Sequence, residues 1–136
     1  MQLKHLTIDR IERPSADDEE ADVTLSSEQS TVVAFCHPCA YVAGQLVPNL
    51  LRPSGVTELR APYLEDWPAD EKIRLSAERL EQYGQYGQYG QFGYRGCGRV
   101  VDRTAGLVRV FGFVLDFGDL PAADVVEFQF DRLDLW

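Results

Sequence analysis

Basic residues, histidines and long apolar runs are all scarce in this chain, and each shortage closes off a class of function. There are 13 Lys and Arg against 22 Asp and Glu, for a net charge of −9. A field of that sign repels phosphate backbones and draws basic partners. No stretch is apolar for long enough to cross a bilayer. The opening MQLKHLTIDRIER is broken by charge and has no apolar signal core. The expectation is a cytoplasmic protein with no membrane association.

Catalytic clusters are equally scarce. Only two histidines are present. Ser26, Ser27 and Ser30 have no nucleophile elbow around them. Asp116-Phe117-Gly118 spells a kinase triplet without the glycine-rich strand, its lysine or the catalytic loop. The glycines around Tyr94 and Arg95 lack the Lys-Ser/Thr and helix of a phosphate loop. The expectation is a protein that is not an enzyme and carries no cofactor. The three cysteines, Cys36, Cys39 and Cys97, are an odd number, which argues against a disulfide framework.

What is present is strand-forming sequence. Hydrophobic residues make up 45% of the 136, enough for one globular domain over residues 1–136 with its own core. From Tyr94 to the end, YRGCGRVVD, GLVRVFGFVLDFG and DVVEFQFDRLDL read as three strands separated by Gly, Asp and Pro. In the last, Val126, Phe128 and Phe130 alternate with Glu127, Gln129 and Asp131, the pattern of a half-buried strand. In the middle one, Phe111, Phe113, Leu115 and Phe117 share one face and Val108, Val110 and Val114 the other. A central strand covered on both sides follows, with Gly112 at a bend.

Upstream, Leu3–Ile11, Asp22–Leu25, Thr31–Cys36 and Val56–Arg60 read as further strands. Residues 41–51 fit either a helix or a broken strand, because Gly44 and Pro48 interrupt the apolar stripe. One helix is expected near residues 68–83, with Pro68 in its first turn, Asp66 as cap and Ile73, Ala77 and Leu80 on one stripe. The fold class is therefore mainly β, a β-rich α+β chain. It would be a small antiparallel barrel or half-open roll of about six strands, with the helix inserted before the last three. That element order resembles the layout of an OB-type barrel.

Two segments read as loops. Residues 12–22 hold an acidic run. Residues 82–93 hold the tandem repeat Gln-Tyr-Gly, ending Gln91-Phe92-Gly93. A period of three matches neither a strand nor a glycine-tolerant helix, so an extended loop is expected.

Three functional readings follow. The first is a small acidic binding protein, inhibitor-like, immunity-like or regulatory, that recognises another protein of basic character. Asp17, Asp18, Glu19, Glu20 and Asp22 would steer the partner, and Tyr86, Tyr89, Phe92, Arg95 and Arg99 would supply further contacts. The second is a single-strand nucleic-acid binder. It would stack bases on Tyr86, Tyr89 and Phe92, with Arg95, Arg99 and Arg103 on one strand face. The acidic balance speaks against it. The third is a zinc or thiol-redox protein built on Cys36-His37-Pro38-Cys39. No second cysteine pair completes a zinc site and no βαβ alternation completes a redox fold. The pair reads first as small apolar residues at a turn set by Pro38.

Overall fold

The computed structural model describes residues 4–86 and 91–135. Its elements are β1 (His5–Glu12), β2 (Ala21–Ser26), β3 (Thr31–Cys36), β4 (Leu46–Pro48), β5 (Leu51–Arg60), α1 (Ala69–Leu75), β6 (Arg79–Tyr86), β7 (Gln91–Asp102), β8 (Leu107–Val110), β9 (Phe113–Asp116) and β10 (Val125–Leu135). The chain is mainly β with one short helix, as the strand-rich sequence requires. The strands run in the order β4-β1-β2-β3-β10-β5-β9-β8-β7-β6, and β10 also pairs with β7. That extra pairing closes β10, β5, β9, β8 and β7 into a five-stranded barrel. Strands β3, β2, β1 and β4 extend from it as a wing.

β10 holds the two parts together. Val125–Phe130 pair with β7 from Arg99 to Tyr94, whereas Asp134 lies beside Phe35 of β3. The opposite edge pairs with β5 along most of its length, from Glu127↔Arg60 to Leu135↔Leu51. The buried positions shift where the strand changes partners. Val126, Phe128 and Phe130 are buried in the first half, Leu133 and Leu135 in the second. The register of β5 slips at the same place, between Gln129 and Phe130. The alternation of Val126, Phe128 and Phe130 with Glu127 and Gln129 is thus the inside and outside of the barrel wall. The wing's apolar residues, among them Leu6, Ile8, Val23, Leu25, Val32 and Ala34, join the same core as the barrel phenylalanines.

Several expectations are corrected. There are ten strands among the described residues instead of about six, and five of them instead of three follow the helix. The run Leu107–Asp116 is not one central strand. It folds back at Phe111-Gly112 into the β8–β9 hairpin, with Val110 opposite Phe113. Both turn residues have positive φ, 45° for Phe111 and 83° for Gly112, as a type I′ hairpin turn requires. Phenylalanine is a poor residue for that conformation, so tertiary contacts hold it. The Phe111 amide donates to Glu78 Oε2 at 2.7 Å and its carbonyl accepts Ser27 Oγ at 2.7 Å. Buried Asn49 donates to the Gly112 carbonyl at 2.6 Å and accepts the Val114 amide at 3.0 Å.

The helix is also shorter than the span 68–83. It covers Ala69–Leu75 and ends at Ser76, whose hydroxyl donates to the Lys72 carbonyl at 2.6 Å. Asp66 does not cap it, since Pro68 occupies the N-cap position with no side-chain cap bond. Leu80 belongs to β6 instead, opposite Gly96. The ambiguous span 41–51 contains the short strand β4 and the start of β5. The sheet is not wholly antiparallel, because β5 meets β9 in parallel within the barrel at Leu51↔Leu115 and wing strand β3 meets β10 in parallel.

The Gln-Tyr-Gly repeat is not a loop where it is described. Its flanks are the two arms of the β6–β7 hairpin. The pairs Tyr83↔Gly93 and Tyr86↔Gln91 leave Gly84 and Gln85 opposite Phe92 alone. That is a bulge, and Gly84 takes the positive φ of 61° that it needs. One extra residue reconciles a period of three with a strand. Tyr83 lies across Gly93, where a Cβ would come within 2.8 Å of its ring, and donates to the Phe130 carbonyl at 3.0 Å. Aromatic cover of a strand glycine is a known way to pin register.

Candidate binding surface

The acidic run is built onto the wing's outer face. β1 ends at Glu12 and β2 begins at Ala21, so the connecting loop is 13–20 and Asp22 lies on a strand, a narrower loop than residues 12–22. Register places Glu12 beside Asp22, Asp22 beside Phe35, Phe35 beside Asp134 and Asp134 beside Arg52, one row across four neighbouring contacts. Ala21, Val23 and Leu25 point into the core, which leaves Asp22 on the solvent side.

The loop is held in shape from beneath. The Arg13 guanidinium donates to the Asp18 carbonyl at 3.0 Å and to the Cys39 carbonyl at 2.9 Å. The Cys39 amide donates to the Glu19 carbonyl at 2.6 Å. Ser15 Oγ donates to the Asp18 carboxylate at 3.0 Å. So the acidic loop rests on the Cys36–Cys39 turn, and two features that are separate in sequence form one structure. Arg13 binds carbonyl oxygens and pairs with none of the loop's carboxylates, so its single charge offsets only part of theirs. Among the described residues, none of Asp17, Asp18, Glu19, Glu20 or Asp22 makes a salt bridge. Elsewhere cations sit within ion-pair distance, as Arg60 does with Glu127 at 2.6 Å.

Burial first, then the charges of Glu12 and Glu20, push the Asp22 carboxyl up to about 6. Beside it the Arg132 guanidinium lies 4.4 Å from the centre of the Phe35 ring and bonds to Asp134 at 2.7 Å. The exposed His37 ring lies parallel to Phe35 with centroids 6.4 Å apart. Phe35, His37, Arg132 and Asp134 line a shallow groove of 210 Å³ next to the acidic row.

The thiols are arranged for packing. Cys36, Cys39 and Cys97 are free and buried. Burial, and then the hydrogen bond and charge of Cys39, push Cys36 up to about 12, outweighing the opposite pull of Arg13. That is the reverse of the lowered pKa that makes a redox thiol reactive. Cys97 stands apart, its S–H directed at the Leu75 carbonyl at 3.6 Å, and burial raises it too. Among the described residues no three His, Cys, Asp or Glu side chains gather as a metal-binding group.

Phe92, Arg95, Arg99 and Arg103 are not assembled on one face. Arg95 and Arg99 are both exposed on the outside of β7, but Arg95 is paired with Glu81 at 3.0 Å. Arg99 sits directly opposite Arg109. Arg103 lies past a register shift at Val100–Asp102, in a turn, where it binds the Pro121 and Ala123 carbonyls at 2.9 and 2.8 Å and Asp124 at 3.3 Å. Phe92 packs against the core. Tyr86 closes β6 opposite Gln91, and Tyr89 lies outside the described residues.

Arg13, Phe35 and Arg132 belong to this surface, although sequence reasoning passes over them. The available signal was the alternation of Asp22 and Phe35 with core residues, which marks both as outward-facing. Comparison with protein-family models, with curated proteins and with solved structures finds no match to this chain.

Proposed function

We propose that the protein is a non-catalytic binding module that recognises a basic protein through the acidic face of its wing. The observation that carries this is the set of carboxylates at 17–20 and 22. They are fixed on a rigid support and unpaired among the described residues, while the one arginine touching the loop binds backbone. Fixed, uncompensated charge speeds encounter with an opposite field and selects against like-charged partners. Phe35 with Arg132 over its ring gives the face an apolar and planar element beside the charge, as binding surfaces commonly have. An inhibitor-like or immunity-like role suits such a surface. A cytoplasmic setting suits three unpaired, buried thiols.

The test begins with affinity capture from the native host and mass spectrometry. Association kinetics are then measured with the captured protein. Replacing Asp17 and Asp18 by Asn and Glu19 and Glu20 by Gln slows association about tenfold and flattens its salt dependence, the signature of a lost steering field. Unchanged association rates refute the reading.

A further inference from the structure

A second surface lies at the other end of β10. The acidic row crosses β10 at Asp134, whereas the segment before α1 meets the chain at Asp124, the residue before β10. About nine residues of extended strand separate them, roughly 30 Å along the chain. The two surfaces therefore meet β10 at opposite ends.

The segment is unusual in what it leaves outside. Leu64, Trp67 and Ile73 are 63%, 41% and 75% exposed, three of the seven large hydrophobics exposed among the described residues. They fall within ten positions of sequence. α1 buries no residue fully. A helix of seven residues is not stable alone in water, and normally its apolar side chains fasten it to the core. Here other contacts fasten it. Cys97 donates to the Leu75 carbonyl, and Lys72 lies over the Tyr63 ring at 5.5 Å and bonds to the Glu65 carbonyl. Ile73 is left free of that work. Beside the segment, Tyr63, Leu120 and Ala123 line a groove of 350 Å³ with Glu65, Arg103 and Asp124 at its rim.

The rim is acidic. Asp66 and Asp70 make no salt bridge among the described residues. Glu65 and Asp124 do, at 3.5 and 3.3 Å, but their side chains are 91% and 89% exposed, so both carboxylates stay open to solvent. Exposed apolar side chains set among open carboxylates disfavour anionic partners. They also disfavour a second copy of this chain, which would bring another −9 against the same rim.

We propose that Leu64, Trp67 and Ile73, with the adjoining groove, form a docking site for a protein segment that carries apolar residues flanked by Lys or Arg. A Trp with aliphatic neighbours inside a polar rim is the usual anatomy of a binding hot spot.

The test uses the full chain, labelled for NMR, and three synthetic peptides of about twelve residues, the length of a short recognition segment. One interleaves Lys with Leu, one Lys with Ser, and one Glu with Leu. The Lys-Leu peptide is expected to shift the Trp67 indole and the Ile73 methyl signals. Leu64→Ser, Trp67→Ala and Ile73→Ser together weaken it about tenfold or more. Asp66→Asn with Asp70→Asn flattens the salt dependence. The Lys-Ser and Glu-Leu peptides bind about tenfold or more weakly than Lys-Leu. Replacing the four carboxylates at 17–20 leaves this binding intact, which separates the site from the acidic face. The proposal is overturned if no signal near Trp67 moves, if Lys-Ser binds as well as Lys-Leu, or if the shifts map to residues 17–22. Self-association in sedimentation that the triple substitution abolishes would assign the surface to a second copy instead, and would overturn it too.

Discussion

The Tyr94 hydroxyl accepts the Val33 amide at 2.7 Å, joining barrel to wing on the edge of β3 that faces away from β2. Phe35 is the β3 residue registered with β10. Two residues earlier, the backbone donor finds a side chain instead. A buried amide left without an acceptor costs about 1–3 kcal/mol, so this phenol takes the place of a missing strand partner. Its ring also packs on Phe130, with centroids 6.1 Å apart.

Tyr94→Phe keeps that packing and removes only the acceptor. A loss of about 1–3 kcal/mol is expected, with faster hydrogen exchange at the Val33 amide. Urea unfolding measures the first. An unchanged midpoint would show that the bond contributes nothing.

Asp22 gives a pH dependence of defined sign. Its carboxyl rises from 3.8 to about 6 in the folded chain. The folded state therefore holds this proton more tightly than the unfolded state. The resulting stability is full below 3.8 and is lost as pH rises through 6. Asp22→Asn keeps the shape without the charge. It is expected to be more stable than the natural chain at pH 7, by about 1 kcal/mol after allowance for partial solvent screening. The gap should close near pH 4. A constant gap across pH 4–7 in thermal melts would contradict the assignment.

The thiols should be silent in the folded protein. A thiol reagent is expected to label none of Cys36, Cys39 and Cys97 within minutes at pH 7.5, and all three in denaturant, because the thiolate and not the thiol reacts. Rapid native labelling of Cys36 would contradict its burial and its raised pKa.

At Gly96 the backbone of β6 lies close over β7. A Cβ there would lie 2.1 Å from the Arg79 carbonyl oxygen and 2.9 Å from its carbon. Backbone cannot step aside as a flexible side chain can. Gly96→Ala is expected to push β6 off β7 at a cost of about 1–3 kcal/mol, as overpacking does, and to open Cys97 to the same thiol reagent. Wild-type stability with Cys97 still protected would refute the close approach.

Much of the barrel was legible because β10 and the wing strands obey the simple rule of alternation. Val126, Phe128 and Phe130 announce their inward face, and so do Val32, Ala34 and Cys36. The β8–β9 hairpin was not legible. Its apolar residues run through the turn, and Phe111 takes a conformation that local sequence does not favour. Only Glu78, Ser27 and Asn49, distant in sequence, make it hold. The β6–β7 hairpin was hidden for another reason. A repeat of three becomes strand only when a bulge at Gly84 absorbs the mismatch. The acidic run was visible as composition, but its seating on Cys39 through Arg13 depends on a contact across 26 positions. Leu64, Trp67 and Ile73 looked like ordinary apolar residues, since exposure cannot be read from residue type alone.

The divided edge of β10 sets an order of events for the nascent polypeptide. Partners for residues 125–135 occur in β3, β5 and β7, all of which leave the ribosome earlier. The ring cannot shut, and β3 cannot gain its second neighbour, until this final ribbon emerges. Until then the interior leucines and valines of the first hundred residues lack Phe128 and Phe130. The window for misassociation therefore stays open until residues 125–135 have been made, as slow, long-range β pairing implies.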